Sequence, residues 1–252
     1  MKTIRKIAAA TLVVLSGLSL ALPAYAVPSL RITQGANVLV VEDGDINDRA
    51  QLPPPFGFDA GVVDYLGVVG NFGVDVTGYT KPFLGSSSKP SLDFLSAQFS
   101  SSVGGSTVSV EFSDTDFVTG GPAVTFPAKI GGTTNGTLQY QVFASLSNNL
   151  FAQDILIADS GALTGAFSFE DAATIALNGS YSLTTIITVE HGPSPLVEGG
   201  GLGLVNSSFN ATVEISEPAK PTMNINPLIS LTTLSGLMFI VGFANRRRQQ
   251  RR

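Results

Sequence analysis

Seven consecutive residues, EDGDIND at 42–48, hold five side chains with oxygen atoms that could bind a cation. These are Glu42, Asp43, Asp45, Asn47 and Asp48. Calcium in proteins takes about six to eight oxygen ligands, and short acidic loops supply them. The spacing is not that of an EF-hand, because Asp48 stands where the invariant glycine would be and Pro54 where the bidentate glutamate would be. The segment predicts either a calcium site or a solvated polar loop between strands. Asp114 and Asp116, in SDTDF, are a second candidate.

The residue types typical of catalytic sites are scarce. The single histidine, His191, follows the strand-like run TTIITVE, and one histidine cannot form a His-rich metal site. No Gly-x-Ser-x-Gly elbow accompanies it. We therefore predict a surface or strand-end histidine rather than a member of a Ser-His-Asp triad. The glycines of EGGGLG at 198–203 lack the Lys-Ser/Thr of a phosphate loop. A hydrolase that uses paired carboxylates has no recognisable motif here, so we predict that the protein is not an enzyme.

The elements that must position these residues are predicted to be β-strands. Apolar and polar residues alternate at 72–77, 106–112, 138–142 and 209–215. A period of two places one face of a strand in the core and the other in water. Gly131-Gly132, Asn135-Gly136 and Asn178-Gly179 fall between or beside such runs, and Asn-Gly is a strong hairpin signal. These patterns predict an all-β body, a jelly-roll-like antiparallel β-sandwich over residues 27–215.

The charges are distributed unevenly along the chain. Residues 27–226 contain all 19 acidic residues and six of the 14 basic ones, which gives this segment a net charge of −13. Such a field repels nucleic acid and anionic lipid, so we predict no nucleic-acid partner. The chain has no cysteine, and the body must therefore be stable without disulfides.

The N-terminal segment is typical of a secretory signal peptide. Basic residues at 2–6 precede an apolar run from Ile7 to Leu22, and Ala24-Tyr25-Ala26 follows as a small-x-small cleavage site. The pattern predicts export through the Sec translocon and cleavage by signal peptidase after Ala26. An uncleaved membrane anchor is the alternative.

The C-terminal segment predicts a single membrane-spanning helix. A linker at 216–226 precedes an uncharged stretch at 227–244, which as a helix would be about 27 Å long. Five arginines follow within the tail at 227–252: Arg246, Arg247, Arg248, Arg251 and Arg252. The positive-inside rule places these arginines in the cytoplasm and the acidic body outside.

This order of linker, apolar helix and terminal arginines resembles the PEP-CTERM sorting signal of Gram-negative bacteria. The resemblance implies retention at the inner membrane and processing by an exosortase, a membrane transpeptidase, near a Pro-Glu-Pro motif. The matching residues here are Ser216-Glu217-Pro218, without the first proline. A plain membrane anchor has the same topology and remains the alternative.

The body also resembles one that recurs in PEP-CTERM proteins. The matching segments include KPFLGS at 81–86, Leu92-Asp93, FSDTDF at 112–117, GGTTNGTLQYQVF at 131–143 and SGALTGAFSF at 160–169. The resemblance carries over no catalytic residue. It implies an exported protein of the cell envelope or extracellular matrix with a structural or adhesive role.

A module that binds calcium or extracellular polysaccharide is the alternative function. Sugar-binding sandwiches stack sugars on exposed aromatic rings, and Tyr65, Tyr79 and Tyr140 are the candidates for such a surface. The chain has no tryptophan, which counts against a dedicated sugar site.

Overall fold

The structure is a computed structural model that describes residues 27–50, 59–118, 123–195 and 203–215. All of them belong to the first of two compact units, Met1–Ser216. Within these ranges the chain forms eleven strands. They are β1 (Ser29–Gln34), β2 (Asn37–Glu42), β3 (Val62–Val69), β4 (Phe72–Tyr79), β5 (Ser91–Ser101), β6 (Thr107–Val118), β7 (Val124–Ser145), β8 (Ile155–Asp159), β9 (Leu163–Ile175), β10 (Ser180–His191) and β11 (Val205–Glu214).

The strands form one hydrogen-bonded sheet in which neighbours run antiparallel. Their order is β2-β1-β6-β10-β7-β11-β5-β4-β3, and β8 and β9 pair with β7 outside this path. The predicted all-β, antiparallel class is therefore confirmed. The predicted strands at 72–77 and 138–142 lie within β4 and β7. The one predicted at 209–215 extends one residue beyond the end of β11, and the one at 106–112 begins one residue before β6.

The apolar residues that alternate with polar ones in the sequence are the buried residues of the strands. In β4, Phe72, Val74 and Val76 are buried while Asp75 is exposed. Strands that are far apart in the sheet share one core. The ring of Phe112 in β6 packs 5.6 Å from that of Phe94 in β5. The sheet thus curls around its apolar face until its end strands, β2 and β3, approach each other, and the body is nearly closed.

Strand β7 is 22 residues long and connects the two halves of the sheet. On one edge its first part pairs with β11 and its second part with β10. On the opposite edge β9 and then β8 pair with it. Its register with β9 shifts between Thr134 and Thr137. Because β7 continues through this irregularity, it forms hydrogen bonds with strands in both halves of the sheet.

The predicted turns at Gly131-Gly132 and Asn135-Gly136 are wrong, because both pairs lie inside β7. The glycines are needed there for close approach. A β-carbon on Gly132 would overlap the Ser208 carbonyl oxygen of β11, and one on Gly136 would overlap the Glu190 carbonyl oxygen of β10. The third predicted turn is correct, since Gly179 has a φ of +97° immediately before β10.

We predict that Gly132→Ala destabilises the body, whereas Gly131→Ala on the same strand does not. The new methyl group at 132 must displace backbone atoms of β11, and overpacking of this kind costs about 1–3 kcal/mol. At 131 the nearest atom to the new methyl group is 3.7 Å away, an ordinary contact. Urea denaturation of both variants measures the difference. Equal free energies of unfolding would contradict close approach at Gly132.

Candidate functional site

A cavity of about 530 Å³ opens at the end of the body where β2 ends and β3 begins. We call it the Asp43 cavity. Its lining residues come from the segment before β1, the loop after β2, the turn before β3 and the turn after β4: Val27, Asp43, Gly44, Ala60, Gly61, Lys81, Pro82, Gly85, Ser86 and Ser87. The cavity falls within the size range of small-molecule pockets, roughly 300–1,000 Å³.

The side chains of Lys81 and Asp114 form a buried ion pair beside this cavity. The Lys81 Nζ lies 2.7 Å from the Asp114 Oδ2, and the side chain of Asp114 is inaccessible to solvent. The carboxylate also accepts hydrogen bonds from the Thr80 hydroxyl, at 2.9 Å, and from the Thr115 N–H, at 2.7 Å. Burial raises the pKa of Asp114, and the neighbouring ammonium of Lys81 opposes that rise.

Two further contacts hold the Lys81 ammonium in place. It donates a hydrogen bond to the Thr115 carbonyl oxygen and lies 4.2 Å from the centroid of the Phe117 ring. The pair therefore joins the segments KPFLGS at 81–86 and FSDTDF at 112–117, which the sequence analysis singled out separately. The sequence analysis assigned no role to Lys81. The signal that could have identified it is its rarity, since it is one of six basic residues in a segment with a net charge of −13.

The carboxyl group of Asp43 faces a crowded negative environment. Its Oδ2 accepts the N–H of Gly61 at 2.6 Å. Burial raises the pKa of Asp43, the Gly61 N–H opposes this, and the nearby carboxylates of Asp48 and Asp114 raise it further. Gly61 has a φ of +86°, and a β-carbon there would lie 2.6 Å from the Thr80 carbonyl oxygen. Glycine is therefore required at the position that donates to Asp43.

Asp48 binds the loop to the edge of the sheet. Its Oδ1 accepts the N–H groups of Ala50, at 3.0 Å, and Asp64, at 2.9 Å, and its Oδ2 accepts that of Gly44 at 3.0 Å. The Arg49 N–H in turn donates to the Asp64 carbonyl oxygen at 2.7 Å. The loop thus satisfies backbone groups of β3 that would otherwise lie unpaired at the sheet edge.

The predicted calcium ligands do not all converge on one point. Glu42 and Asn47 are exposed, and the Asp45 Oδ1 accepts the N–H of Ile46. In the described part of the chain, no group of three or more histidine, cysteine, aspartate or glutamate side chains is arranged to hold a metal ion. Calcium binding by this loop stays a prediction.

Asp114 and Asp116, the second candidate pair, engage different partners. Asp114 is committed to Lys81, as described above. The Asp116 N–H donates to the Asn148 Oδ1 at 2.8 Å, and the Asn148 side-chain amide donates back to the Asp116 Oδ1 at 2.6 Å. Both residues have positive φ, 59° and 53°, a conformation that aspartate and asparagine tolerate. These side chains fix the ends of β6 and β7.

His191 lies at the end of β10 as predicted, but it is fully buried rather than on the surface. Its ring packs 4.9 Å from that of Phe72, and its Nε2 lies 3.2 Å from the Ser207 hydroxyl, which in turn is 2.8 Å from that of Thr134. Burial lowers the pKa of His191 and favours the neutral ring. It contributes to packing where β10 and β11 meet.

The predicted aromatic surface is largely internal. Tyr140 is fully buried and donates its hydroxyl to the Thr212 carbonyl oxygen at 3.0 Å, and Tyr65 is nearly buried. Tyr79 is half-buried and packs 5.2 Å from Phe83. Phe83, which sequence reasoning passed over, is 59% exposed. An aromatic side chain thus lies exposed on the turn that lines the Asp43 cavity, but it is a phenylalanine.

The predicted targeting segments lie outside the described residues. These are the signal peptide with Ala26, the motif Ser216-Glu217-Pro218 and the tail with Arg246, Arg247, Arg248, Arg251 and Arg252. Within the described ranges, no helix has the length and apolar character needed to cross a membrane.

Comparison with known proteins shows only weak structural likenesses. No protein-family model matches the chain, and no curated protein matches it. Among solved structures, the enzymatically active domain of tailspike protein 4 of bacteriophage CBA120 matches 56% of this chain at 14% identity, with a TM-score of 0.25. The isomalto-dextranase of Arthrobacter globiformis T6, solved with panose, matches 60% at 14% identity, with a TM-score of 0.22. The matches span 19% and 23% of those two chains. Likenesses this weak establish neither a shared fold nor a shared activity.

We predict that Lys81→Met lowers the free energy of unfolding by about 3–5 kcal/mol, because it leaves the buried Asp114 carboxylate without its cation. Lys129→Met is the matched control. The Lys129 Nζ lies 3.0 Å from the Glu170 Oε1, but both side chains are at least half exposed, and such pairs contribute at most about 1 kcal/mol. Chemical denaturation at neutral pH compares the two variants. Similar losses in both would show that the buried pair does not stabilise this end of the body.

Proposed function

We propose that this protein is a non-enzymatic, exported component of the cell envelope or extracellular matrix, and that it associates with further copies of itself. The observation that carries the proposal is a pair of strand edges that, within the described part of the chain, no other strand covers. Strands β2 and β3 form the two ends of the sheet order and together line a groove of about 390 Å³. We call this groove, with residues 36–40 and 65–70, the seam.

Among the described residues, the first part of the β3 edge has hydrogen-bond partners and the second part has none. The outward backbone groups of Asp64 bond to the loop through Asp48 and Arg49. Backbone groups alternate in direction along a strand, so those of Leu66 and Val68 point to the same free edge. The structure gives them no partner there among the described residues. Unpaired edge groups are a template for pairing with another chain.

The side chains around the seam are apolar and exposed. Val38 and Val40 of β2 are 60% and 41% exposed, and Leu66 and Val68 of β3 are 53% and 71% exposed. An exposed apolar patch of this kind marks an interaction surface. By contrast β9, which pairs only with β7, carries Glu170 and Asp171, and edge charges of this kind discourage pairing.

The distribution of charge favours a second copy of the chain as the partner that binds the seam. No charged residue occurs at 36–40 or 65–70, although the segment 27–226 carries a net charge of −13. Two copies can bring their uncharged seams together while their acidic surfaces stay in solvent. An edge that pairs antiparallel with the same edge of another copy gives a two-fold symmetric contact, which is the commonest type in homo-oligomers.

The proposal includes the finer architecture and the route to the envelope. We interpret the body as a jelly-roll-like sandwich in which β7 contributes one part to each layer, and the contact between Phe94 and Phe112 across the core supports this. The signal peptide would deliver the body across the inner membrane. The PEP-CTERM-like tail would hold it there for an exosortase-type transpeptidase.

Binding of calcium or extracellular polysaccharide is the second candidate function. The Asp43 cavity, with the exposed Phe83 on its lining turn, is the observation that favours it. Titration of the purified protein with calcium and a glycan array test it. An unchanged melting temperature and an absence of glycan binding would contradict it.

We expect the wild-type chain to self-associate in sedimentation velocity, and more strongly as salt screens the repulsion between acidic bodies. Val68→Lys places a charge at the seam and should yield monomers. Leu204→Lys is the control, since Leu204 is 60% exposed and lies immediately before β11, away from the seam. A monomeric wild type, or equal association of both variants, would contradict the proposal.

The sorting route predicts a processed C-terminus. Intact mass and C-terminal peptides of the native protein from fractionated cells should show an end between residues 217 and 226, in an outer-envelope or medium fraction. A chain that ends at Arg252 in the inner membrane would instead identify a permanently anchored protein.

A further inference from the structure

The first described residue, Val27, lies at the Asp43 cavity. It lines the same space as Asp43 and is 44% exposed. Its position is fixed by its neighbours, because the Pro28 carbonyl oxygen accepts the Asp43 N–H at 3.0 Å and the Ser29 hydroxyl donates to the Val27 carbonyl oxygen at 3.3 Å. Val27 thus directly precedes the residue, Pro28, that accepts the backbone hydrogen bond from Asp43.

The cavity has a negative charge without a matching cation. One oxygen of Asp43 accepts the Gly61 N–H, while the structure records no hydrogen bond to its Oδ1 within the described residues. The carboxylates of Asp48 and Asp114 lie near enough to act on Asp43 electrostatically. Of the described lining residues, Lys81 alone carries a positive side chain, and its ammonium is already bound to Asp114 and Thr115.

We propose that removal of the signal peptide supplies the missing cation, as the new α-ammonium group of Val27, and that this group forms an ion pair with Asp43. Signal peptidase hydrolyses the Ala26–Val27 peptide bond with one water molecule. Ala26 leaves with a carboxylate, and the Val27 nitrogen becomes a primary amine that takes up a proton. An α-amino group has a pKa of about 7.7–8.0, so it is largely charged at neutral pH. The inference rests on the proposed export of this chain.

If this ion pair forms, removal of the signal peptide stabilises the folded body. Before cleavage the Val27 nitrogen is a neutral amide. The carboxylates of Asp43, Asp48 and Asp114 then repel one another, and Lys81 is the one basic side chain among the described residues that line the cavity. After cleavage a second cation joins Lys81, and the net charge of this group falls from −2 to −1. The loop that carries Asp43 and Asp48 is then held more firmly against β3, so the mature body is more stable than the precursor.

The test compares two chains in detergent, one from Val27 to Arg252 and one that retains Ala24-Tyr25-Ala26. The extension moves the ammonium by three residues, up to about 10 Å. We expect the extended chain to melt about 2–4 °C lower. Asp43→Asn in both chains should abolish that difference, because asparagine can still accept the Gly61 N–H but carries no charge. Asp45→Asn, in the same loop, is the control and should preserve it.

A second measurement needs no variant. The rate at which an amine-reactive reagent labels Val27, followed by mass spectrometry across pH, gives the pKa of its α-amine. The charged side chains of this cavity are those of Asp43 and Lys81, and the carboxylates of Asp48 and Asp114 act on Asp43 from nearby. An ion pair favours the charged form, so the pKa should lie above the ordinary range of about 7.7–8.0. A pKa within that range, or equal melting temperatures of the two chains, overturns the inference.

The failure of this inference is distinguishable from the failure of export. Intact mass of the native protein reports where its N-terminus lies. A native chain that begins at Val27 and has an ordinary α-amine pKa overturns the ion pair and leaves export intact. A native chain that begins at Met1 overturns the role of processing, and the cell fraction that contains it then reports whether the body is exported by an uncleaved anchor.

Discussion

The buried pair of Lys81 and Asp114 is the interaction on which this end of the body depends. Taking two charges out of water is costly, and the cost is recovered only where geometry is good and additional hydrogen bonds are present. Here Thr80 and Thr115 provide these bonds, and Phe117 covers the ammonium. The turn after β4 is therefore fixed against β6. The Asp43 cavity forms between that turn and the loop after β2.

The acidic loop is a second consequence of the same architecture. A sheet that curls until its ends approach without pairing leaves two edges of unpaired backbone groups. Asp48 satisfies these groups at one end of β3, and its carboxylate is therefore used as a backbone acceptor. The proposed contact with another copy would form along the remaining length of this edge, beside the exposed Val38, Val40, Leu66 and Val68.

The balance of charge connects the fold with the proposed route of the protein. An acidic body stays soluble and avoids anionic surfaces, but acidic residues grouped in a partly buried loop repel one another. The few basic side chains of the body are spread thinly, and Lys81 is fully engaged. A backbone ammonium produced by cleavage is a cation that no side chain in the sequence provides. In the proposed route, cleavage of the signal peptide and stability of the loop would both involve Val27.

The sequence by itself determined the fold class and several strands, because a period of two reports which face of a strand is buried and needs no knowledge of its neighbours. It did not determine the course of β7. Asn135-Gly136 has the chemistry of a hairpin turn, yet pairing along both edges of β7 outweighs that local preference.

Only the tertiary structure decided which side chains meet. Lys81 and Asp114 are 33 positions apart, and the burial of Tyr140 and His191 depends on strands that come from distant parts of the chain. The local sequence indicates which face of its own strand each side chain occupies. Pairing between strands is set by long-range contacts, and these alone place the Asp48 carboxylate on backbone N–H groups at the edge of β3.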